Sequence, residues 1–168
     1  MPNCILGLGT NLGDRVSSLT SALYNIGLQL GEITQKSSVY ETSAWGKTDE
    51  PNYLNQVVSV HTLYTPEYVL KVCQEIEILG GRERNVKWGA RSIDIDVLYY
   101  DNLSLNTKDL VLPHPYIQDR KFVLIPLNEI APSLIHPLLN KNTLQLLEAC
   151  KDESKVEMYN NNNKQYEI

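Results

Sequence analysis

Two aspartates with a spacing suited to metal chemistry, Asp94 and Asp96, lie in the apolar run 91–100. The β-branched, aliphatic and aromatic residues of this run are typical of a buried β-strand. Because side chains alternate between the two faces of a strand, both carboxylates point to the same face, with their Cα atoms about 6.6 Å apart. Two carboxylates with apolar neighbours require a positive partner, and Mg²⁺ takes one or two carboxylates together with phosphate oxygens and water. The pair therefore predicts a magnesium site that serves phosphoryl chemistry.

The alternative for this pair is an exposed edge strand whose charged side chains are solvated. Six of the eight residues from 93 to 100 are apolar or aromatic. This composition favours the buried strand, and with it the metal site, over the solvated edge.

A basic segment precedes the aspartate strand. The whole chain has a net charge of −5, whereas residues 80–91 contain four basic side chains and a single acid. The basic residues are Arg82, Arg84, Lys87 and Arg91. A local basic cluster in an acidic protein predicts a small anionic ligand, and a solvated loop would be preferred only if the aspartates were absent.

Length and composition limit the class of protein. A chain of 168 residues with 42% hydrophobic and 21% charged residues predicts one globular domain, placed over residues 1–150. The polar residues 151–168, with asparagines at 160–163, predict a tail that is either disordered or a linker to a further domain. Neither an apolar run of membrane-spanning length nor a secretory signal is visible, so we expect a cytoplasmic protein without a membrane partner.

The pattern of the chain predicts the order strand–helix–strand–strand–helix–strand. Strands are expected at 3–9, 33–40, 53–62 and 91–100, with one helix after Asp14 and another after Thr65-Pro66. This order is that of a ferredoxin-like βαββαβ core in the α+β class. Two further helices are expected at 122–130 and 143–150.

Several segments of the chain, in order, carry a family resemblance. They are Gly7–Arg15, Val39–Thr42, Tyr53–Asn55, Glu77 with Gly81–Arg84, Trp88–Asp96, Pro113–Pro115 and Arg120–Phe122. Through them, residues 3–150 resemble the 6-hydroxymethyl-7,8-dihydropterin pyrophosphokinase family. The resemblance implies an ATP-dependent kinase of folate biosynthesis, which transfers the β,γ-diphosphate of ATP to the hydroxymethyl group of the pterin and releases AMP. It also implies two Mg²⁺ ions and a three-layer α-β-α arrangement.

The resemblance implies roles for individual residues. The catalytic residues are Arg82, Arg91, Asp94 and Asp96, of which the two aspartates are the metal ligands. The ATP site comprises Gln74, Arg82, Arg84, Trp88, Arg91, Leu98, His114 and Arg120. The pterin site comprises Thr42, Trp45, Tyr53, Asn55 and Phe122. From the residues alone, ordinary core packing explains Tyr53 and Phe122 equally well, and Glu77 is assigned only to binding or to support of the site.

The partners follow from these expectations. ATP and 6-hydroxymethyl-7,8-dihydropterin are the expected substrates, and the protein is expected to be a monomer, with fusion to a dihydropteroate synthase domain left open. A dinucleotide-binding Rossmann site at Gly7, Gly9 and Gly13 is a weaker alternative, because the spacing differs from Gly-x-Gly-x-x-Gly. A ferredoxin-like RNA-binding or regulatory module is the other alternative, which the acidic net charge opposes.

Overall fold

A computed structural model describes residues 1–43, 51–80 and 92–160 of the chain. The predicted site residues Trp45, Arg82, Arg84, Trp88 and Arg91 lie outside these ranges, so their roles stay predictions. The strands are β1 (Asn3–Thr10), β2 (Gly31–Lys36), β3 (Tyr40–Thr42), β4 (Tyr53–Thr62), β5 (Asp94–Tyr100), β6 (Leu105–Asn106), β7 (Val111–Leu112) and β8 (Val156–Met158). The helices are α1 (Arg15–Gln29), α2 (Pro66–Leu79), α3 (Lys121–Ile130) and α4 (Thr143–Ala149), with a 3-10 turn at Ile117–Asp119.

In the main sheet, every pairing of the described strands is antiparallel. Its order is β5-β1-β4-β3-β8, and β2 pairs with the same strand β4 as β3 does. β6 and β7 form a separate two-stranded sheet. A Rossmann fold requires a parallel sheet, so the dinucleotide-binding alternative is wrong for this chain.

The strand predicted over 33–40 is wrong, because the structure has two strands there, β2 and β3. The interruption is at Ser37, whose hydroxyl accepts the N–H of Val57 at 3.0 Å. The carbonyl of Ser37 accepts a hydrogen bond from the side-chain amide of Gln56 instead, at 2.7 Å. A side chain therefore replaces the ladder bond that a continuous strand would make with β4.

The predicted helix ends are confirmed for α1 and α2. The carboxylate of Asp14 accepts the N–H of Ser17 at 3.0 Å, and Thr65 caps α2 just before Pro66. Gly31 follows α1 at φ +136°, where a Cβ would lie 2.2 Å from the carbonyl oxygen of His61, so only glycine fits. α3 and α4 occur where the sequence predicts them, within one residue at each end.

Two hydrophobic clusters lie on the two faces of the main sheet. Alternate residues of β1, β4 and β5 point to each face, so Leu6 packs with α1 and α2, and Ile5 packs with α3 and α4. At Leu98 the register between β1 and β5 shifts, which places Leu98 and Tyr99 in the same cluster. The architecture is thus a mixed α/β domain in which an antiparallel sheet separates two cores.

The polar tail contributes to the sheet. β8 pairs with β3, with Val156 opposite Thr42, so disorder throughout the tail is a wrong expectation for these residues. The described residues end at 160, and both the linker and the boundary at 150 stay predictions. Of the described helices, none has the length and apolarity that a membrane crossing requires.

Candidate active site

The floor of the site is a row of residues across three strands. Gly9 of β1 lies opposite Asp94 of β5 on one side and opposite Asn55 of β4 on the other. Residues paired across strands point to the same face, so Asp94 and Asn55 share a face, with their Cα atoms about 10 Å apart and glycine between them. A Cβ on Gly9 would lie 3.3 Å from Oδ1 of Asn55. Glycine therefore keeps the space between the two side chains open.

Gly9 lies at the centre of this floor, a place that the sequence analysis did not assign to it. The alternation Gly7-x-Gly9 could have indicated a sheet face without side chains from β1, although at Gly7 the side chain of Leu98 covers that face, 3.3 Å from where a Cβ would lie. Recognising it requires the register of β1 against both neighbours, which the sequence does not state.

The two aspartates occupy the face predicted for them. Ile93, Ile95 and Val97 are buried in the core of the other face, whereas the side chain of Asp96 is 50% exposed. The described residues contain no group of three or more His, Cys, Asp or Glu that could hold a metal ion. A cation at this pair would need oxygen ligands from phosphate and water as well, a donor set that fits Mg²⁺.

His114 and Arg120 approach Asp96 from the loop before α3. Oδ2 of Asp96 lies 3.9 Å from Nε2 of His114 and 3.7 Å from a guanidinium nitrogen of Arg120. Nδ1 of His114 accepts the N–H of Tyr116 at 3.2 Å, so the neutral ring carries its proton on Nε2, toward the carboxylate. Burial lowers the pKa of His114, Asp96 raises it and Arg120 lowers it, with a net decrease.

Arg120 is held between two aromatic rings. Its guanidinium carbon lies 5.3 Å from the ring centroid of Tyr116 and 5.9 Å from that of Phe122. These distances are within the range of cation–π contacts. Phe122 is therefore next to a predicted ATP contact, and Tyr116 joins the site without having been predicted from the sequence.

Asn55 and Thr42 form a buried polar pair at the other end of the floor. The side-chain nitrogen of Asn55 donates to the hydroxyl of Thr42 at 3.0 Å, and both residues are at most 6% exposed. This bond fixes the amide so that its oxygen lies near Gly9. Tyr53 lies opposite Thr42 in the pairing of β3 with β4, so three of the predicted pterin residues come together.

Two predicted ATP contacts stand apart from this group. Gln74 is exposed on α2, which packs against the opposite face of the sheet. Leu98 is 1% exposed, and its carbonyl accepts the N–H of His114 at 2.9 Å. Leu98 therefore supports the backbone of His114, and a contact of either residue with ATP stays a prediction.

Glu77 accepts a hydrogen bond from the backbone of β5, the strand that carries the two aspartates. It is 5% exposed on α2, and its carboxylate accepts the N–H of Ile95 at 2.8 Å. Ile95 is the residue between the two aspartates, so this bond holds the strand at the point where both carboxylates are presented.

Comparisons with known proteins identify the relatives of this chain. The family model described as 7,8-dihydro-6-hydroxymethylpterin-pyrophosphokinase (HPPK) matches residues 5–132. A 2-amino-4-hydroxy-6-hydroxymethyldihydropteridine pyrophosphokinase of Methylorubrum extorquens is 43% identical over 136 residues, which are 80% of this chain and 86% of the relative. The Aquifex aeolicus protein of the same name is 41% identical over 141 residues, 84% of this chain and 88% of the relative.

Solved structures share the fold at lower identity. A crystal structure of Plasmodium falciparum HPPK-DHPS has a TM-score of 0.73 and 20% identity, covering 88% of this chain and 45% of that one. An HPPK-DHPS in complex with substrates has a TM-score of 0.71 and 18% identity, covering 88% of this chain and 43% of that one. This chain therefore spans less than half the length of the solved proteins it resembles.

The fold, the aspartate pair and the named relatives define an enzyme of the pyrophosphokinase class. Neither relative is named as an RNA-binding or regulatory protein, so that alternative is not favoured. The chain belongs to the 7,8-dihydro-6-hydroxymethylpterin-pyrophosphokinase family.

Proposed function

We propose that this chain transfers the β,γ-diphosphate of ATP to the hydroxymethyl group of 6-hydroxymethyl-7,8-dihydropterin. The hydroxymethyl oxygen forms a bond to the β-phosphorus, the bond from that phosphorus to the oxygen of the α-phosphate breaks, and AMP leaves. The hydroxyl proton passes to solvent. The product, a pterin diphosphate, belongs to folate biosynthesis. The observation that carries this proposal is the shared sheet face, with a carboxylate pair on one side of Gly9 and a fixed amide on the other.

The amide side suits a flat heterocycle with polar edges. Asn55 is buried and held by Thr42, so its remaining hydrogen-bonding groups are oriented before a ligand arrives. Tyr53 and Phe122 are the aromatic residues proposed to contact the faces of the ring, and Trp45 is proposed to complete the pocket. Gly9 leaves room for the ring over the sheet.

The carboxylate side suits a polyphosphate with bound cations. Asp94 and Asp96 would hold two Mg²⁺ ions, which when bound neutralise phosphate charge and acidify the attacking hydroxyl. Arg120 lies beside Asp96 with its guanidinium near two aromatic rings, which favours a contact with phosphate oxygens. The neutral His114 presents an N–H donor to the same region. Further ATP contacts are proposed for Gln74, Arg82, Arg84, Trp88, Arg91 and Leu98.

Two finer features of the molecule are also proposed. The strand order and the placement of two helices on each sheet face support a ferredoxin-like βαββαβ core in three layers. The solved relatives titled HPPK-DHPS support a dihydropteroate synthase domain as a partner, fused or separate. The monomeric state and the cytoplasmic location stay predictions.

The proposed reaction is tested by the products formed from ATP. We expect AMP and pterin diphosphate in equal amounts, measured by liquid chromatography with mass spectrometry. Both should require the pterin and Mg²⁺, because the aspartates bind the nucleotide through the metal. ADP as the product, or AMP formation that does not depend on the pterin, would contradict the proposal.

A further inference from the structure

The first turn of α3 carries site residues but lacks a cap of its own. The N-cap position is occupied by Arg120, which makes no side-chain capping bond. A guanidinium has only donors, so it cannot accept the free N–H groups at a helix start. It is directed instead to Asp96, 3.7 Å away. The position that would normally stabilise this helix is thus used by the site.

Asp152 supplies the missing cap from the far end of the chain. Its Oδ2 accepts the N–H of Lys121, the first residue of α3, at 2.9 Å. Its Oδ1 accepts the N–H of Ser154, also at 2.9 Å. Burial acts to raise the pKa of Asp152, but the bonds from Ser154 and Lys121 outweigh it, so the pKa is lowered and the carboxylate is charged at neutral pH. A negative charge here also interacts favourably with the helix dipole.

The residues that follow Asp152 contact the side of the site that is proposed to bind the pterin. Four residues beyond Asp152, β8 pairs with β3 and places Val156 opposite Thr42. Thr42 is the residue that orients Asn55. The N–H of Tyr159 then donates to the carbonyl of Val39 at 2.8 Å, which extends the pairing along β3. Residues 151–160, here called the C-terminal segment, therefore join two sides of the floor, although the family match ends at residue 132.

We propose that Asp152 is a positioning residue for the pyrophosphokinase reaction, which holds Arg120 and Phe122 in place by capping α3. The inference rests on the proposed function only for its kinetic consequence. The C-terminal segment completes the site by fixing the start of α3 with Asp152 and the end of β3 with β8. Without the carboxylate, the N–H of Lys121 loses its acceptor and the first turn of α3 loosens. Arg120 then leaves its position beside Asp96, and Phe122 its position beside Arg120, for part of the time.

The kinetic test uses the full chain carrying Asp152→Ala. We expect kcat/KM to fall about tenfold for both ATP and the pterin, mainly through KM, because a lost cap weakens binding residues without removing them. Glu153→Ala removes the neighbouring exposed carboxylate and should leave both values unchanged. Equal kinetics for Asp152→Ala and Glu153→Ala would overturn the proposal.

A double variant shows whether Asp152 acts through Arg120. In the Arg120→Ala background, Asp152→Ala should no longer raise the KM for ATP, while the rise in KM for the pterin remains through Phe122. A general loss of stability would change both backgrounds alike. A full repeat of the ATP effect in the Arg120→Ala background would therefore contradict the positioning role.

A measurement without substrates separates this inference from the proposed function. Hydrogen exchange of the Lys121 amide should be about tenfold faster in Asp152→Ala than in Glu153→Ala, because the amide loses its acceptor. If Asp152→Ala does not fold, Asp152→Asn replaces it. Its neutral amide removes the negative charge at the start of α3 and leaves a weaker acceptor for the Lys121 amide, so we expect about a threefold effect in each assay. Unchanged exchange in the variant that folds would overturn the inference even if the reaction is as proposed. Faster exchange in a protein that forms no AMP would refute the function alone.

Discussion

Asp96 has a half-exposed carboxylate and two neighbours, of which one is a hydrogen-bond donor and the other a cation. His114 and Arg120 approach the same oxygen at 3.9 Å and 3.7 Å. These distances are longer than direct hydrogen bonds, so the carboxylate is oriented without being fully occupied. The residue is therefore available to a cation while the donors beside it remain available to phosphate oxygens.

Asp96→Ala should abolish turnover and leave the fold intact. We expect kcat to fall at least a hundredfold, because losing a direct metal ligand costs at least as much as losing a supporting one. Because the side chain is half exposed, the free energy of unfolding should change by less than about 1 kcal/mol. Glu148→Ala, an exposed acid on α4, is the matched control for AMP formation and for urea unfolding. Near-normal turnover in Asp96→Ala would remove the metal site from the mechanism.

Single residues differ in how far the sequence determines them. The shared face of Asp94 and Asp96 could be predicted because it depends only on the two-residue repeat of a strand. The role of Gly9 could not, because it depends on residues 46 and 85 positions further along the chain, Asn55 and Asp94. Tyr116 was missed for a different reason: it lies only four positions before Arg120, but their contact depends on the 3-10 turn between them, which the sequence analysis did not predict.

Among the secondary-structure elements, β1 determines the width of the site. It lies between the strand of the aspartates and the strand of Asn55, and its Gly9 places no side chain over the sheet face between them. The packing face of β1 is by contrast filled by Leu6 and Leu8. On the opposite face, β1 supplies Ile5 to the second core and Gly9 to the floor of the site.

Gly9→Ala should weaken pterin binding without loss of stability. The added Cβ would meet Oδ1 of Asn55 at 3.3 Å and displace the amide by a few tenths of an ångström, so we expect the KM for the pterin to rise roughly tenfold. Gly27→Ala is the control, because its Cβ has nothing within 4 Å and lies in α1. That variant should gain about 0.5–1 kcal/mol of stability with unchanged kinetics, measured by thermal unfolding and steady-state rates. A wild-type KM in Gly9→Ala would show that the ring does not lie over this strand.

The elements could be predicted where local signals suffice and not where distant partners decide. Asp14, Thr65 and Pro66 mark helix starts by short-range bonds, and the structure has helices there. The break after β2 depends on a bond between Ser37 and Val57, and β8 exists only because β3 offers it an edge. Polar composition alone therefore predicted a disordered tail or a linker where residues 156–158 pair in the sheet.

For the whole molecule, the sheet separates two cores, and the core on the side of the site contains a buried aromatic pair. The core beneath α3 and α4 includes Tyr99, which contacts His136 edge-on with ring centroids 5.7 Å apart. Nδ1 of His136 accepts the N–H groups of Leu138 and Leu139 at 3.3 and 3.2 Å. Burial lowers the pKa of His136, so the neutral ring is part of the native packing.

This buried histidine should make stability depend on pH. The pKa of His136 is lower in the folded than in the unfolded state, so the unfolded chain binds more protons. The free energy of unfolding therefore decreases as the pH is lowered from about 6.5. The free energy of unfolding in urea should decrease from pH 7 to pH 5, and the contribution of His136 to the slope cannot exceed about 1.4 kcal/mol per pH unit. His136→Asn keeps an acceptor near Nδ1 but does not titrate, so its slope should be smaller. An identical slope in both proteins would assign the pH effect to other groups.

At this largest scale, the fold class and the family were open to prediction, because the order of elements and the matching segments are local features of the chain. The assembly of the site was less so, because its members come from β1, β3, β4, β5 and the start of α3. Asp152, which completes one end of it, lies in a tail whose composition gave no sign of a role.

The most direct test of the central claim is a crystal structure of this chain with Mg²⁺, a nonhydrolysable ATP analogue and the pterin. We expect carboxylate oxygens of Asp94 and Asp96 within about 2.0–2.1 Å of magnesium, and the pterin ring over Gly9 with its edge at Asn55. Aspartate side chains turned to solvent with no ion bound, while the nucleotide binds elsewhere, would contradict the account.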